Sequence, residues 1–183
     1  MELARLGRVN HRRPASVRLA LPSEAEQIVA VQRDWLAVQP EISRVLEHLD
    51  EQEMVSAWQQ AIVAPPLATY RVLVALDEQG AVQGFAAIGP SEDPDAEPTD
   101  GTVAEFCVTP TKERDGHRDR LLHAIADTLR LDGFERATWW VRSTDDLTRQ
   151  WLVETGWGPD GAHQEIGDEQ VRFKQIRMHT SLI

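Results

Sequence analysis

VAEFCVTPTKERDGHRDRLL, residues 103–122, packs three kinds of local structure into one short stretch. Val103, Phe106, Cys107 and Val108 are strand formers. Pro110 ends that strand because it has no N–H to offer a ladder. A charged loop with one glycine, Gly116, follows. From Leu121 the apolar residues fall at Leu121, Ile125 and Leu129, with Leu122 and Ala126 beside them, which predicts a helix. A loop that feeds a helix N-terminus suits an anion, since the first N–H groups lack internal partners and the dipole favours negative charge there.

Upstream, residues 70–76 and 81–88 read as two strands joined by Asp77-Glu78-Gln79-Gly80, a hairpin loop containing glycine. Before them, residues 17–21 alternate weakly as a first strand. Ser23 and Glu26 match an S-x-x-E capping box, and Ile28, Val31, Trp35 and Val38 lie on one helix face that Pro40 stops. A second helical region covers roughly residues 42–49 and 51–63, with Met54, Trp58 and Ile62 recurring every fourth residue until Pro65-Pro66. Residues 89–101 carry three prolines and five acidic side chains and read as a solvated, mobile connection.

Downstream, Gly133 caps the helix and residues 135–141, with Trp139 and Trp140, form another strand. Ser143, Thr144 and Asp145 are N-cap candidates for a helix that bears Leu147 and Trp151 and runs to Thr155. Gly156 and Gly158 break it, residues 159–161 form a turn, and residues 171–178 alternate as a final strand. The order is β, α, α, β, β, β, α, β, α, then one or two strands: a mixed α/β pattern with an antiparallel meander in the middle.

At 183 residues the expectation is a basic arm over residues 1–14 and a single domain over 15–183. A formal net charge of −11 argues against nucleic acid, which needs a cationic footprint. It suits a cationic substrate, and solubility accounts for it equally well. One cysteine, Cys107, excludes an internal disulfide and a cysteine zinc site. His117 and His123 are six apart and no His-Glu constellation has ligand spacing, so no metal is expected. No apolar run is long enough for a signal peptide or a membrane span, so the expected location is the cytoplasm.

The stretch 103–122 resembles the acetyl-CoA loop of the GNAT acetyltransferase superfamily. That pattern is V-x-P, then Q/R-x-x-G-x-G/A, then a helix opening on apolar residues. Here V-x-P falls on Val108, Thr109 and Pro110, and the helix pair on Leu121 and Leu122. The loop is Glu113 to Arg118, with Gly116 at a family glycine, Glu113 in place of Gln/Arg, and Arg118 in place of the last Gly/Ala. The helix before Gly156-Trp157 is similar to the family's N-x-x-A-x-x-F-Y-x-x-x-G-F, with Asp145, Thr148 and Trp151 in register and Leu152 where the tyrosine stands. The tail, Val171-Arg172-Phe173-Lys174, is like the family's closing strand. The element order is similar to the GNAT order from about Val17 to Leu182.

The resemblance implies a mixed α+β fold, with a mostly antiparallel sheet of six to seven strands and about four flanking helices. It implies transfer of an acetyl group from acetyl-CoA to an amine of a small molecule, with a homodimer left open. Pantetheine would lie along Phe106, Cys107 and Val108, and an N–H near Cys107 or Val108 would stabilise the oxyanion, worth roughly 3–4 kcal/mol. Lys112, Arg114, Asp115, Gly116, His117 and Arg118 would surround the phosphates, with the arginines binding oxygens bidentately. Were position 118 left-handed, Arg118 would be strained by about 1–3 kcal/mol. Glu105, two residues from Cys107 and so on its face, would take the amine's proton. Leu152 cannot return a proton to the leaving thiolate, which leaves His163, Ser143 or water. Trp35, Trp58 or Trp139 would line the acceptor side. The competing reading is a GNAT-like binding or regulatory module without productive CoA binding.

Overall fold

The computed structural model describes residues 14–39, 49–111, 116–167 and 172–183. The basic arm, the stretch 42–48 of the second helical region, and Lys112, Arg114 and Asp115 lie outside the described residues. Seven strands make one sheet in the order β1-β2-β3-β4-β5-β7-β6. They are β1 (Ser16–Leu19), β2 (Arg71–Leu76), β3 (Val82–Pro90), β4 (Asp100–Val108), β5 (Arg136–Arg142), β6 (Gly158–Gly167) and β7 (Arg172–Ser181). Four described helices flank them: α1 (Ala25–Ala37), α2 (Glu51–Val63), α3 (His117–Leu131) and α4 (Asp146–Glu154). Every strand pairing is antiparallel except that of β4 with β5. This is the mixed, mostly antiparallel sheet that the resemblance of the sequence leads one to expect.

The two faces of the sheet bury different sets of residues. On one, Leu121, Ile125 and Leu129 of α3 pack with Val103, Trp139, Val141, Trp151, Leu152 and Trp157. Truncating one such buried leucine to alanine typically costs about 2–5 kcal/mol. On the other, Ile28 and Val31 of α1 pack with Val72, Val74, Phe85 and Cys107, joined by Trp35, Trp58 and Ile62. β4 serves both faces, because successive side chains alternate: Phe106 and Val108 belong to the first cluster and Cys107 to the second.

Several expectations are corrected. Ser23 and Glu26 do not form the cap. The entry to α1 is a 3-10 turn, Pro22–Glu24, and the Glu24 carboxylate folds back to accept the Leu21 N–H at 2.8 Å while pairing with Arg18. The turn at 159–161 is part of β6, which runs on through Gly167 as an edge strand paired with β7. The acidic connection after β3 is fastened to the sheet. Arg177 of β7, 5 % exposed, donates to Asp93 at 3.1 Å, to both oxygens of Asp95 at 2.6 Å and to Asp160 at 2.7 Å. Arg136 bonds Asp100 and Asp160, and the Trp140 indole N–H bonds Asp93 at 2.9 Å.

The hydrogen bond from Arg177 holds the Asp95 carboxyl at about 2. A carboxylate depressed in the fold stabilises it above the unfolded value of about 3.9 and loses that contribution as pH falls through the folded value. Arg177→Met removes the guanidinium shared by Asp93, Asp95 and Asp160, while Asp160 keeps Arg136 and Asp93 keeps the Trp140 N–H. It is expected to lower stability at neutral pH by about 1–3 kcal/mol and to flatten the loss of stability between the unfolded and folded values of Asp95. Urea unfolding as a function of pH measures both.

Candidate active site

The site begins where the parallel ladder stops. β4 and β5 pair only over Asp100↔Arg136 to Val103↔Trp139, although both strands continue. Opposite β3, Ile88 faces Val103 and Ala87 faces Glu105, so Ala104 is one extra residue on β4. Such a bulge bends its strand and increases the local twist. Beyond it β4 stays with β3 and leaves β5, and a cleft of about 350 Å³ opens between them.

Register settles which backbone groups face the cleft. Thr109 N–H donates to the Gln83 carbonyl at 2.8 Å, which makes Thr109 and Gln83 a hydrogen-bonded pair. Antiparallel pairs alternate, so Cys107/Phe85 and Glu105/Ala87 are also bonded pairs, and the N–H and C=O of Phe106 and Val108 point away from β3 towards the cleft. Of the two N–H groups considered from the sequence, that of Cys107 is spent on the ladder and that of Val108 faces the opening. Glycine at position 84 keeps this geometry: a Cβ there would sit 3.0 Å from the Cys107 carbonyl oxygen and from the Val108 side chain.

The cleft passes through the sheet and has two chemically different halves. Towards α3 and α4 it is walled by Phe106, Val108, Trp139, Val141, Thr148 and Trp151. The Phe106 and Trp139 rings are 4.8 Å apart, and Trp151 stands edge-on to Trp139 at 6.4 Å. Towards α1 it is walled by Trp35, Glu105, Trp140 and Gln175, with Phe173 and its register partner Ile166 from the β6–β7 hairpin. Trp139 therefore belongs to the α3 half, Trp35 lines the α1 half, and Trp58 is structural, with its ring edge on Phe85 and its N–H on Gln32.

Glu105 is exposed in the cleft, and the protein packed around the opening desolvates its carboxyl and raises it above the usual range. Cys107 is 1 % exposed, and burial together with the Glu105 charge pushes its thiol well up. A thiol that is hard to ionise is a poor nucleophile, so Cys107 is a core residue on the face it shares with Glu105.

Helix α3 starts four residues earlier than the apolar spacing predicts, at His117. Gly116 is its N-cap and holds φ 73°, the left-handed region that glycine enters at little cost. Arg118 is thus inside the first helical turn, and no left-handed strain falls on it. Its guanidinium lies 4.2 Å from the centre of the Trp151 ring at the cleft wall, a cation–π contact. The Trp151 N–H bonds Asp119 at 2.9 Å, so α4 is tied to the start of α3. His117 is buried and contacts Arg120 rather than the cleft.

The tyrosine-equivalent position, Leu152, is 0 % exposed and lies in the core, not on the cleft wall. Neither Ser143 nor His163 lines the cleft. Trp140 and the Ile166–Phe173 pair were missed as site residues by sequence reasoning. The alternation of β5 is the available signal for Trp140; the hairpin pair has none, because residues 158–167 do not read as a strand. Among the described residues no cluster of metal-ligating side chains occurs and no helix is long and apolar enough to cross a membrane.

No protein-family model matches the sequence, and no curated protein matches it either. Solved structures do match in fold. An N-acetyltransferase from Staphylococcus aureus Mu50 superposes with a TM-score of 0.74 at 13% identity, over 93% of this chain and 100% of that one. The acetyltransferase-like protein yncA from Salmonella typhimurium, solved with its cofactor acetyl-CoA, gives 0.72 at 20% identity over 93% and 95%. An acetyltransferase of the GNAT family from Streptococcus pneumoniae gives 0.67 at 16% identity over 91% and 99%. The fold is therefore the GNAT fold.

Gly116→Ala is expected to cost about 1–2 kcal/mol, since an L-residue resists the left-handed region. The added Cβ would also come within 3.0 Å of the flexible end of Arg120. Chemical denaturation checks the loss, which Gly116→Asn should halve, because asparagine tolerates this region better.

Proposed function

We propose that this GNAT fold is an acetyl-CoA-dependent N-acetyltransferase that acts on an amine. The observation that carries the reading is the divergence of β4 from β5, with the Phe106 and Val108 backbone groups left facing the cleft and Glu105 beside them. These groups fit acetyl-CoA. An amide-bearing chain finds unpaired N–H and C=O groups along β4, and the N-terminus of α3 with Arg118 favours an anion. Lys112, Arg114 and Asp115 are assigned to the phosphate loop from sequence pattern alone.

Acetyl-CoA would supply an acetyl group already activated as a thioester. The chain's own contribution is placement and charge. The Val108 N–H donates to the oxygen on which negative charge develops, a role worth roughly 3–4 kcal/mol. Holding two reactants in opposite halves of one cleft replaces a bimolecular encounter with a fixed geometry. Glu105 accepts the proton that the ammonium must lose before its nitrogen can attack. No side chain at the tyrosine position returns a proton to the departing sulfur. The single tyrosine, Tyr70, bonds Glu92 on the surface, so that proton comes from solvent.

Calorimetric titration with acetyl-CoA is expected to show saturable binding at sub-millimolar concentration. Its absence would favour the reading of a non-catalytic module instead. With an amine acceptor, Glu105→Gln should lower kcat by about 10²–10⁴-fold. The wild-type rate should fall as pH drops through the raised value of Glu105, because the base must be ionised. The variant should lose that acid limb. Cys107→Ala should keep turnover, which separates Glu105 from the buried thiol on its face.

A further inference from the structure

The narrow end of the cleft is closed on the α3 face by aromatic rings from separate elements. Phe106 stands on β4, Trp139 on β5 and Trp151 on α4, and all three line the opening. The Phe106 ring centre is 4.8 Å from that of Trp139 and 5.8 Å from that of Trp151, and Trp139 stands edge-on to Trp151 at 6.4 Å. Carbon atoms pack at about 3.5–4.0 Å, so a methylene group held between two rings needs roughly 7–8 Å between them. No pair in the cluster leaves that space. Trp157 packs on Trp139 at 6.3 Å, so the Trp139 ring is also supported from its other side.

The opposite end is built differently. Past Phe106 the two diverging strands carry aliphatic side chains, Val108 and Val141. β4 ends at Val108, on the side where the chain runs on to the head of α3. The cleft therefore widens from a floor of rings towards a mouth that favours an anion. The N–H of Val108 faces the opening between the two. Phe106 and Val108 are two residues apart on one strand and share a face, which sets them about 7 Å apart along it. Allowing one van der Waals contact with the Phe106 ring leaves roughly 3.5 Å.

That length decides what fits. The three bonds of a thioester carbonyl carbon spread in one plane. With the oxygen on the Val108 N–H and the sulfur towards the mouth, the third bond points down to the rings. Carbon–carbon bonds are about 1.5 Å long, so the space takes roughly two carbons beyond the carbonyl and not the five of a hexanoyl chain. We propose that Phe106, Trp139 and Trp151 form the floor of an acyl pocket that admits acetyl and propionyl groups and rejects long ones. The proposal deepens the transferase reading and rests on it for the presence of a thioester. Phe106 sets the depth, because it is the ring nearest the Val108 N–H along β4 and is only half-buried, whereas both tryptophans are buried.

Calorimetry of the full chain with coenzyme A, acetyl-CoA, propionyl-CoA and hexanoyl-CoA tests the pocket without turnover. Acetyl-CoA and propionyl-CoA should bind within about threefold of each other, and hexanoyl-CoA about tenfold or more weakly. Phe106→Val removes the ring and keeps a strand former. It should bring hexanoyl-CoA to within about threefold of acetyl-CoA. A ring that served packing alone would weaken all the thioesters alike and leave their ratio unchanged. Thermal melts check the fold of the variant, and the wild-type series decides the proposal even where the variant does not fold. Equal binding of hexanoyl-CoA by the wild type, or undiminished discrimination in folded Phe106→Val, overturns the acyl pocket and leaves the transferase reading intact. If neither coenzyme A nor acetyl-CoA binds, the transferase reading falls and the acyl pocket falls with it.

Discussion

One extra residue governs the middle of this molecule. Hydrogen bonding between neighbouring strands is cooperative along a ladder, and the β4–β5 ladder would continue if both strands kept the same twist. Ala104 prevents that. Its insertion re-aims β4, so beyond Ala104 the strand stays paired with β3 and gives up its pairing with β5. A buried sheet cannot leave backbone groups unpaired without cost. The groups of Phe106 and Val108 are tolerable because the opening admits water or a ligand. The bulge thus produces the cleft, exposes the donors inside it and brings Glu105 to its wall.

The rest of the architecture supports that opening from both sides. On one face the aromatic side chains of Phe106, Trp139, Trp151 and Trp157 fill the widening wedge between strands, where smaller residues would leave voids. On the other, Trp35 of α1 and the β6–β7 hairpin form opposing walls, and the Arg177–Asp93–Asp95–Asp160 cluster fixes the Trp140 wall in place. Because the cleft crosses the sheet, its two ends present separate sets of residues.

What the sequence makes legible follows from how local each signal is. β2, β3 and the strand portion of β4 announce themselves through dense β-branched and apolar runs, and their positions agree with the reading to within two residues for β2 and β3. β6 did not, because Gly158-Pro159-Asp160-Gly161 looks like a turn and the strand buries no residue. It is held by pairing to β7, which is a tertiary fact. The start of α3 was hidden because His117-Arg118-Asp119-Arg120 has no apolar periodicity, and because a left-handed glycine is an unusual N-cap. The acidic connection reads as mobile for a different reason: its partner, Arg177, is more than eighty positions away along the chain. At the site, Glu105 and the Phe106–Val108 strand are singled out by the family resemblance of residues 103–122, whereas Trp140, Ile166 and Phe173 meet only once the sheet is assembled.

Arg118 shows what the helical start at His117 entails. On a loop, a long guanidinium side chain samples many rotamers, and capturing an anion would freeze them at about 0.5–1.5 kcal/mol for such a side chain. In this molecule the backbone beneath Arg118 is already helical and its side chain is already stacked on Trp151, which Asp119 anchors in turn. Most of that ordering cost is met during folding. An anion arriving at the head of α3 encounters a preorganised arginine, and the entropy of association should be correspondingly less unfavourable.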